Sequence, residues 1–540
     1  MLLFFISIYA LGLQAQSYTR GDSLRGGQRI ERDCFDIFYY NLAVRLNIIE
    51  KSIVGVNEIH FEIKQSSSGI QLDLFENMTI DSIVFENKII DYKRDFDAVF
   101  LSFPRVLNVG EKLSLFFYYH GNPIIARMPP WDGGFTWSKD KDGKDWVGVS
   151  CQGKGASLWW PTKEDYRDEP DSMRIHCTVP KHLIAVCNGT PESSTTMGNE
   201  TTYHWKVSYP INNYNVTLNV ANYVHWNDWY VSSDGDSLSL DYYVLPYNLT
   251  AAKKQFEQVK PMLSCYEQYL GKYPFYEDGY ALVETPYLGM EHQGAIAYGN
   301  KFRNGYLGMD RSGQNLEFDY IIIHETGHEW WGNSVSAQDL ADMWIHESFC
   351  TYSEAIYVEC KWGYETALNY VNALKSSVSN SSPIIGVYGL NKEGNGDMYV
   401  KGMLFLNTLR HVVNNDTIWW ETIYSMAADR FYHRTTNYDE VVAYFTEKTG
   451  TDLNALFHQY VKKKDIPVLK YGLKKCKREV ELKLQWETQT QDFTMPVEFI
   501  SDGKAYRIDV GSKEQIVKLK SEDITFNTSK FYFDLKKQTR

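Results

Sequence analysis

The segment His324-Glu325-Thr326-Gly327-His328 constrains this chain more than any other part of its sequence. On a helix, residues four positions apart lie about 6 Å apart on one face, so His324 and His328 offer two imidazole nitrogens to one metal ion. Zinc accepts nitrogen and carboxylate oxygen in a tetrahedral shell, and a catalytic zinc leaves its fourth position to water. One further protein ligand is therefore needed, and Glu347 is the candidate.

Glu325 is the candidate general base of this motif. It lies one position round the helix from His324, close to the metal but not stacked with the ligands, which suits a group that takes a proton from bound water. The alternative is a chance pentapeptide in an amphipathic helix. The random expectation is roughly 0.02 per chain of this composition. Because apolar residues 320–323 precede the motif, it also sits on a helix that can bury its ligand face.

Length and composition limit the class of protein. The chain has 540 residues, more than one hydrophobic core usually serves, so we expect about three domains. Hydrophobic residues make up 44% and aromatic residues 15%, which excludes a disordered chain. The net charge of −13 disfavours nucleic acid and anionic membrane surfaces as partners.

The N-terminus predicts export. Residues 1–13 form a short apolar run that ends in Gln14-Ala15-Gln16, which is typical of a signal peptide over residues 1–15 although the basic n-region is missing. A buried first strand is the alternative, but a polar stretch follows directly. We therefore expect a periplasmic or secreted protein. No later run approaches the 18 or more apolar residues of a membrane helix, so we expect no integral membrane segment in the mature chain.

Hydrophobic periodicity divides the rest of the chain into three domains. Residues 16–248 alternate between apolar and polar side chains, as at Leu42, Val44 and Leu46, and predict an antiparallel β domain. Residues 249–465 show mainly helical spacing, and Pro261 predicts a kink or a late start in the first of these helices. Alternation returns in residues 466–540, which predict a small C-terminal β-sandwich domain. The fold class is therefore α+β and multidomain.

The eight cysteines permit one geometric test. If Cys350 and Cys360 both belong to the helix that carries Glu347, they lie about 15 Å apart. A disulfide requires Cα atoms within about 7 Å. We therefore expect no bond between these two residues.

The metal motif and three further segments resemble the aminopeptidase N family of zinc exopeptidases, the gluzincin aminopeptidases. The segments match in the right order, and the resemblance runs from about residue 149 to residue 467. They are Cys151-Gln152 with Trp160-Pro161-Thr162 and Asp168-Glu169-Pro170, then Leu288-Gly289-Met290-Glu291-His292, and finally Met398-Tyr399-Val400-Lys401-Gly402. The resemblance implies one zinc ion per chain and a thermolysin-like, mainly helical catalytic domain over residues 249–465.

The resemblance also implies roles for individual residues. Glu291 matches the glutamate that binds the free amine of the substrate, and Gln152 matches a neutral acceptor for the same ammonium. Without the resemblance, Glu291 is an ordinary loop charge and Gln152 an ordinary polar strand residue. Gly289 and Met290 are expected on an edge strand that gives main-chain hydrogen bonds to the substrate. Tyr399 matches the tyrosine that donates to the developing oxyanion.

Three points are left open or depart from the family pattern. Asp342 or Glu354 is a candidate to orient a zinc histidine through its second nitrogen, with surface charge as the alternative. His292 stands where the family has Asn, and Leu288 where it has Gly, with a side chain expected to point away from the substrate. Many relatives carry a large helical domain over the active site, and about 75 residues after the catalytic region cannot build one, so we expect a more open cleft.

The sequence thus predicts a zinc-dependent aminopeptidase that hydrolyses the N-terminal peptide bond of peptides with a free N-terminus. A thermolysin-type zinc endopeptidase is one alternative, because it shares the helix ligands. An epoxide hydrolase is a second alternative, disfavoured because it needs a deep closed tunnel. A catalytically inactive peptide-binding relative is the third.

Overall fold

The computed structural model describes residues 18–476 and 479–538. The predicted signal peptide at residues 1–15 lies outside the described residues. Within the described ranges, no helix has both the length and the apolar character needed to cross a membrane.

The N-terminal region is rich in β structure, as the alternating pattern predicted. Leu42, Val44 and Leu46 are almost fully buried on one face of the first long strand, which places a hydrophobic core under the sheet. Two short helices and fifteen strands of the described chain make up this region: α1 (Arg20–Gly26), α2 (Ile30–Asp33), β1 (Phe35–Asn47), β2 (Ser52–Ile63), β3 (Ser67–Asp73), β4 (Met78–Phe85), β5 (Lys88–Ile89), β6 (Asp91–Asp95), β7 (Ala98–Leu107), β8 (Lys112–Gly121), β9 (Gly134–Lys139), β10 (Asp145–Ser150), β11 (Ser172–Pro180), β12 (Ile184–Cys187), β13 (Thr190–Met197), β14 (Glu200–Val207) and β15 (Leu218–Ala221).

These strands form three sheets in the described chain, in the orders β13-β14-β11-β1-β2-β8-β4-β5, β12-β15-β10-β9 and β3-β7-β6. β1 pairs antiparallel with β2 but parallel with β11. The large sheet is therefore mixed, and the prediction of a purely antiparallel domain was wrong in this respect. The long segment between β1 and β11 provides the crossover that parallel pairing requires.

A further sheet carries the strand that matches the family's substrate-binding segment. Its order is β16-β17-β18-β20-β19, so β19 lies at one edge. The sheet begins before residue 248, and the domain boundary predicted there stays a prediction. Its strands are β16 (Val224–Val231), β17 (Ser237–Val244), β18 (Tyr280–Glu284), β19 (Gly289–Met290) and β20 (Ile296–Tyr298).

The middle of the chain is mainly helical. Pro261 lies in the first turn of the second helix of this region, where its missing N–H costs nothing, and the predicted late start is confirmed. The elements are α3 (Leu249–Gln255), α4 (Val259–Leu270), α5 (Tyr320–Gly327), α6 (Met343–Trp362), α7 (Tyr364–Ala373), α8 (Val400–Val413), α9 (Asp416–Ser425), α10 (Tyr438–Thr449) and α11 (Asn454–Val461), with a small sheet of β21 (Val335–Ala337) and β22 (Arg434–Thr436).

Helix α6 runs through the centre of this region. Its residues from Met343 to Val358 are buried, so its charged side chains require partners inside the protein. Cys360 at its end forms a disulfide with Cys265 of α4. Cys350 is a free thiol, which confirms that Cys350 and Cys360 are not bonded to each other.

The chain closes in the predicted C-terminal β domain. Leu482, Leu484 and Trp486 alternate inward on one strand and are at most 2% exposed. Two sheets, in the orders β27-β24-β23-β29 and β26-β25-β28, share this core in the described chain. The strands are β23 (Val468–Lys475), β24 (Val480–Glu487), β25 (Met495–Ser501), β26 (Lys504–Val510), β27 (Gln515–Leu519), β28 (Ile524–Phe526) and β29 (Asp534–Lys537).

Candidate active site

The two histidines of the motif meet Glu347 where α5 packs against α6. Asp319 caps α5 by accepting from the N–H groups of Ile321 and Ile322, which fixes the start of the helix. The Nε2 atoms of His324 and His328 lie 3.9 Å and 3.4 Å from Oε2 of Glu347. The structure therefore brings together the three ligands that the sequence predicted.

The two distances to Oε2 of Glu347 suit a divalent metal ion that joins this carboxylate to each imidazole. In a tetrahedral zinc site with ligands near 2.0 Å, neighbouring ligand atoms are about 3.3 Å apart, close to the spacing observed here. Oε2 of Glu347 is buried without a hydrogen-bond partner in the described chain. A metal ion satisfies this otherwise costly buried oxygen.

Cys350 also brings a ligand atom within 4.8 Å of atoms of His324 and His328. Its thiol, however, donates to the main-chain carbonyl of His324 at 2.9 Å, and it is fully buried. Glu347 lines the open cavity and Cys350 does not. The carboxylate is therefore the better third ligand for zinc.

The second nitrogen of each histidine is held by a different kind of group. Oε1 of Glu354 lies 2.7 Å from Nδ1 of His324, and the main-chain carbonyl of Trp331 lies 2.8 Å from Nδ1 of His328. Asp342 contacts neither ring, because it accepts from Trp344 Nε1 at 2.9 Å and from the Tyr388 hydroxyl at 2.8 Å. Of the two acids that were candidates for this role, Glu354 is the one that orients a histidine, His324.

Glu325 faces the edge strand across the cavity. A Cβ on Gly289 would lie only 2.6 Å from Oε1 of Glu325, so glycine permits this close approach. Burial raises the pKa of Glu325 to about 7, because a charged carboxylate loses its hydration there. Glu325 lies close to the ligands, as expected, while its role as a base stays a prediction.

Glu291 and Gln152 approach the metal ligands from two other parts of the chain. Oε1 of Glu291 is buried without a hydrogen-bond partner in the described ranges, and its carboxylate comes within 4.8 Å of ligand atoms of His328 and Glu347. Nε2 of Gln152 donates to Oε1 of Glu347 at 2.6 Å. The amide is thus anchored through its nitrogen, which leaves its oxygen as the acceptor.

Tyr399 stands just before α8, on the wall of the cavity. Its ring centre is 6.1 Å from that of His324. Burial, followed by the nearby carboxylates of Glu347, Glu393 and Glu291, raises the pKa of Tyr399 well above its ordinary value. The phenol therefore keeps its proton and remains a donor.

The predicted site residues Gln152, Gly289, Met290, Glu291, His324, Glu325, His328, Glu347 and Tyr399 all line one cavity. Leu288 lines it too, and the direction of its side chain relative to a bound substrate stays a prediction. Sequence reasoning also missed Tyr306 and Tyr320, because scattered aromatic residues carry no spacing signal.

His292 is not among the residues that line the cavity. Its side chain is fully buried, and neither ring nitrogen has a hydrogen-bond partner in the part of the chain described. Burial lowers the pKa of His292 to about 3, so the ring stays neutral. A neutral ring outside the cavity wall can affect the site only indirectly.

The amino-acid sequence is similar to that of known peptidases. Residues 254–460 match the Peptidase family M1 domain. Endoplasmic reticulum aminopeptidase 1 of Homo sapiens is 22% identical over 405 residues, 70% of this chain and 42% of that protein. Aminopeptidase N of Lactobacillus helveticus is 25% identical over 230 residues, 39% of this chain and 26% of that protein. The chain spans less than half the length of these curated relatives.

The fold is also similar to that of a solved structure. The crystal structure of an M1 zinc metallopeptidase from Deinococcus radiodurans superimposes with a TM-score of 0.68 at 20% sequence identity. The match covers 83% of this chain and 97% of that one. At this identity the likeness concerns the fold.

Proposed function

We propose that this chain, which belongs to peptidase family M1, is a zinc-dependent aminopeptidase that hydrolyses the first peptide bond of peptides with a free N-terminus. One observation carries the proposal. Glu291 is 2% exposed, and its Oε1 has no hydrogen-bond partner in the described chain. A buried carboxylate without a partner is costly, and the ammonium group of a substrate satisfies it.

His324, His328 and Glu347 would hold the zinc ion. Zinc in this position supplies Lewis acidity to a water molecule and to the carbonyl of the bond to be cleaved. Glu354 and the Trp331 carbonyl hold the Nδ1 atoms, so both Nε2 atoms face Glu347. Such partners fix the ring orientation and raise the basicity of the ligands.

Glu325 is the proposed general base. It takes a proton from the attacking water and returns it to the leaving amine. Its pKa near 7 suits a group that must both accept and release a proton near neutral pH. Gly289 leaves room for this carboxylate at the edge strand.

Tyr399 is the proposed oxyanion donor. Its phenol is neutral because its pKa is raised well above the ordinary value. A neutral O–H on the cavity wall donates to the oxygen that becomes negative as the carbonyl is attacked. It thereby favours the tetrahedral intermediate over the flat carbonyl.

The main chain of the substrate is proposed to lie along β19. This strand pairs with β20 on one side and, at the sheet's edge, faces the cavity with Gly289 and Met290. An extended peptide adds to such an edge through main-chain hydrogen bonds. We also propose that residues 249–465 are a thermolysin-like domain, since His324 lies on α5, His328 is the C-cap residue of that helix, and the proposed carboxylate ligand Glu347 lies on α6.

The alternative functions explain fewer residues. A thermolysin-type endopeptidase would leave the buried Glu291 facing an internal peptide that offers no cation. An inactive peptide-binding relative would need neither Glu325 nor Tyr399 beside the ligands. No contact in the site favours an epoxide hydrolase.

Export to the periplasm or the medium is proposed as well. The apolar residues 1–13 support it, and so does the Cys265–Cys360 disulfide, since such bonds persist in oxidising compartments. N-terminal sequencing of the exported protein should give Gln16 as its first residue. Recovery only in the cytoplasm with Met1 intact would contradict export.

Fluorogenic aminoacyl amides test the enzymatic proposal directly. We expect hydrolysis of substrates with a free amine, loss of that hydrolysis on chelation, and recovery when zinc is added. The matched N-acetylated substrates should not be cleaved. Equal cleavage of the acetylated and free forms would contradict the proposal.

A further inference from the structure

We infer that Arg311 binds the C-terminal carboxylate of short peptides, so that the site favours di- and tripeptides with a free C-terminus. This inference rests on the proposed aminopeptidase function and deepens it by naming the substrate class. Arg311 belongs to the loop between β20 and α5 and is exposed.

The direction of the substrate follows from the way β19 lies against α5. The position of a Cβ on Gly289 is 2.9 Å from Ile321 and 2.6 Å from Glu325. Glu291, two residues later, clusters instead with His328. Strand and helix therefore run the same way, and moving from Glu291 to Gly289 leads toward the first turn of α5.

A substrate whose ammonium is held by Glu291 must extend antiparallel to β19. Its residues after the cleaved bond then approach the start of α5, where Tyr320 lies. Each residue of an extended peptide adds roughly 3.5 Å. The C-terminus of a di- or tripeptide therefore ends near the first turn of α5, whereas a longer peptide passes beyond it.

Arg311 is a cation beside two tyrosines at that end of the cavity. Its guanidinium carbon is 5.9 Å from the ring centre of Tyr306 and 6.0 Å from that of Tyr320. Both tyrosines line the cavity that holds the metal ligands. The Tyr320 ring is in turn 5.2 Å from that of His324, so one aromatic ring separates the guanidinium from a metal ligand.

The guanidinium has no acidic partner of its own. In the described chain Arg311 makes no hydrogen bond or ion pair, and its guanidinium lies over the two rings. The carboxylate of the neighbouring Asp310 accepts instead from Ser312 and from the Leu316 N–H. A planar guanidinium resting on aromatic rings is well suited to a bidentate pair with a carboxylate.

Binding measurements with a turnover-deficient enzyme test this role without relying on catalysis. The full-length zinc-loaded Glu325→Gln variant is titrated calorimetrically with tri-alanine and with tri-alanine amide. We expect the free acid to bind at least about tenfold more tightly, as for a charge-assisted pair. Adding Arg311→Gln should bring the two affinities within about twofold. Arg303 is a cation of the same exposed loop, and adding Arg303→Gln instead should leave the preference for the free acid unchanged.

Equal affinity for acid and amide in the Arg303 control would overturn the inference, and so would a preference that survives Arg311→Gln. If Ala-Asp amide bound as tightly as tri-alanine, this too would overturn the inference, because a side-chain carboxylate would then replace the C-terminal one. Fluorogenic aminoacyl amides, which lack a carboxylate, test the aminopeptidase proposal separately in the wild-type protein. Failure of wild type to cleave them refutes the aminopeptidase proposal, while the binding comparison still decides the role of Arg311.

Discussion

Glu354 holds His324 from behind: its Oε1 lies 2.7 Å from Nδ1, on the side of the ring that faces away from Glu347. Its other oxygen accepts from the Tyr370 hydroxyl. The carboxylate is itself fixed, and it therefore sets both the tautomer and the orientation of the histidine.

Replacing Glu354 by Ala should weaken zinc binding by roughly 10- to 100-fold, the usual effect of losing such a partner. Competition with a fluorescent chelator measures this change. Asp342→Asn is the matched control, because Asp342 is buried in the same region but contacts Trp344 and Tyr388. Equal losses in both variants would mean that general destabilisation is responsible.

Glu325→Gln should leave zinc bound and lower kcat by about 10²- to 10⁴-fold, the range attributed to general-base catalysis. The amide retains the size of the carboxylate but cannot accept the proton. Metal analysis of the purified variant, alongside single-turnover kinetics, separates loss of the base from loss of the metal. Wild-type turnover in this variant would refute the assignment.

Glu291→Gln should lower kcat/KM for free-amine substrates by about 100-fold, since an ammonium loses its charged partner. KM should rise, and kcat should fall as well because a misplaced substrate loses orientation. The ratio of free to N-acetylated substrate hydrolysis is the measurement. An unchanged ratio would contradict a role in recognising the N-terminus.

Gly289→Ala should impair catalysis through sterics alone. The added Cβ would lie 2.6 Å from Oε1 of Glu325 and 2.9 Å from Ile321, so the base must move. We expect a fall in kcat of about tenfold or more. Gly472→Ala, whose Cβ would meet nothing closer than 3.6 Å, is the control for substitution in a strand, and the two variants should differ clearly in kcat.

His292 should make the protein sensitive to acid. Its pKa is about 3 in the folded chain against an ordinary 6.5, so between these values the unfolded chain binds a proton that the folded chain does not. Its contribution to stability is present above pH 6.5 and is lost as the pH falls toward 3. Relative to wild type, His292→Asn should gain on the order of 2–3 kcal/mol in free energy of unfolding between pH 7 and pH 4.5. Urea unfolding at both values measures this, and parallel changes in the two proteins would contradict it.

Local spacing was sufficient to predict part of the site. The histidines four positions apart share a helix face for geometric reasons, and their meeting with Glu347 follows from the ligand needs of zinc. Glu354 lies two helical turns after Glu347 on the same face of α6, a signal that favours it over Asp342. The contact of the Trp331 carbonyl with His328 could not be predicted in this way, because every residue has a main-chain carbonyl and the sequence does not indicate which one is used.

Long-range pairings were less accessible to sequence reasoning. The Cys265–Cys360 bond joins residues 95 positions apart, and spacing alone does not select it among the possible pairings. The parallel pairing of β1 with β11 likewise depends on how the intervening chain returns to the sheet. The alternation of Leu42 and its neighbours predicts a strand but does not identify its partner.

Gln152 follows β10 in the N-terminal region, yet its Nε2 donates a hydrogen bond to Oε1 of Glu347 at 2.6 Å. The reaction centre is thus shared between two parts of the chain that are distant in sequence. A fragment limited to α5 and α6 would lack this hydrogen bond, and the carboxylate of Glu347, the proposed third ligand, would be free to rotate. Engineers who transplant the catalytic region into another scaffold must therefore carry the Gln152 loop with it.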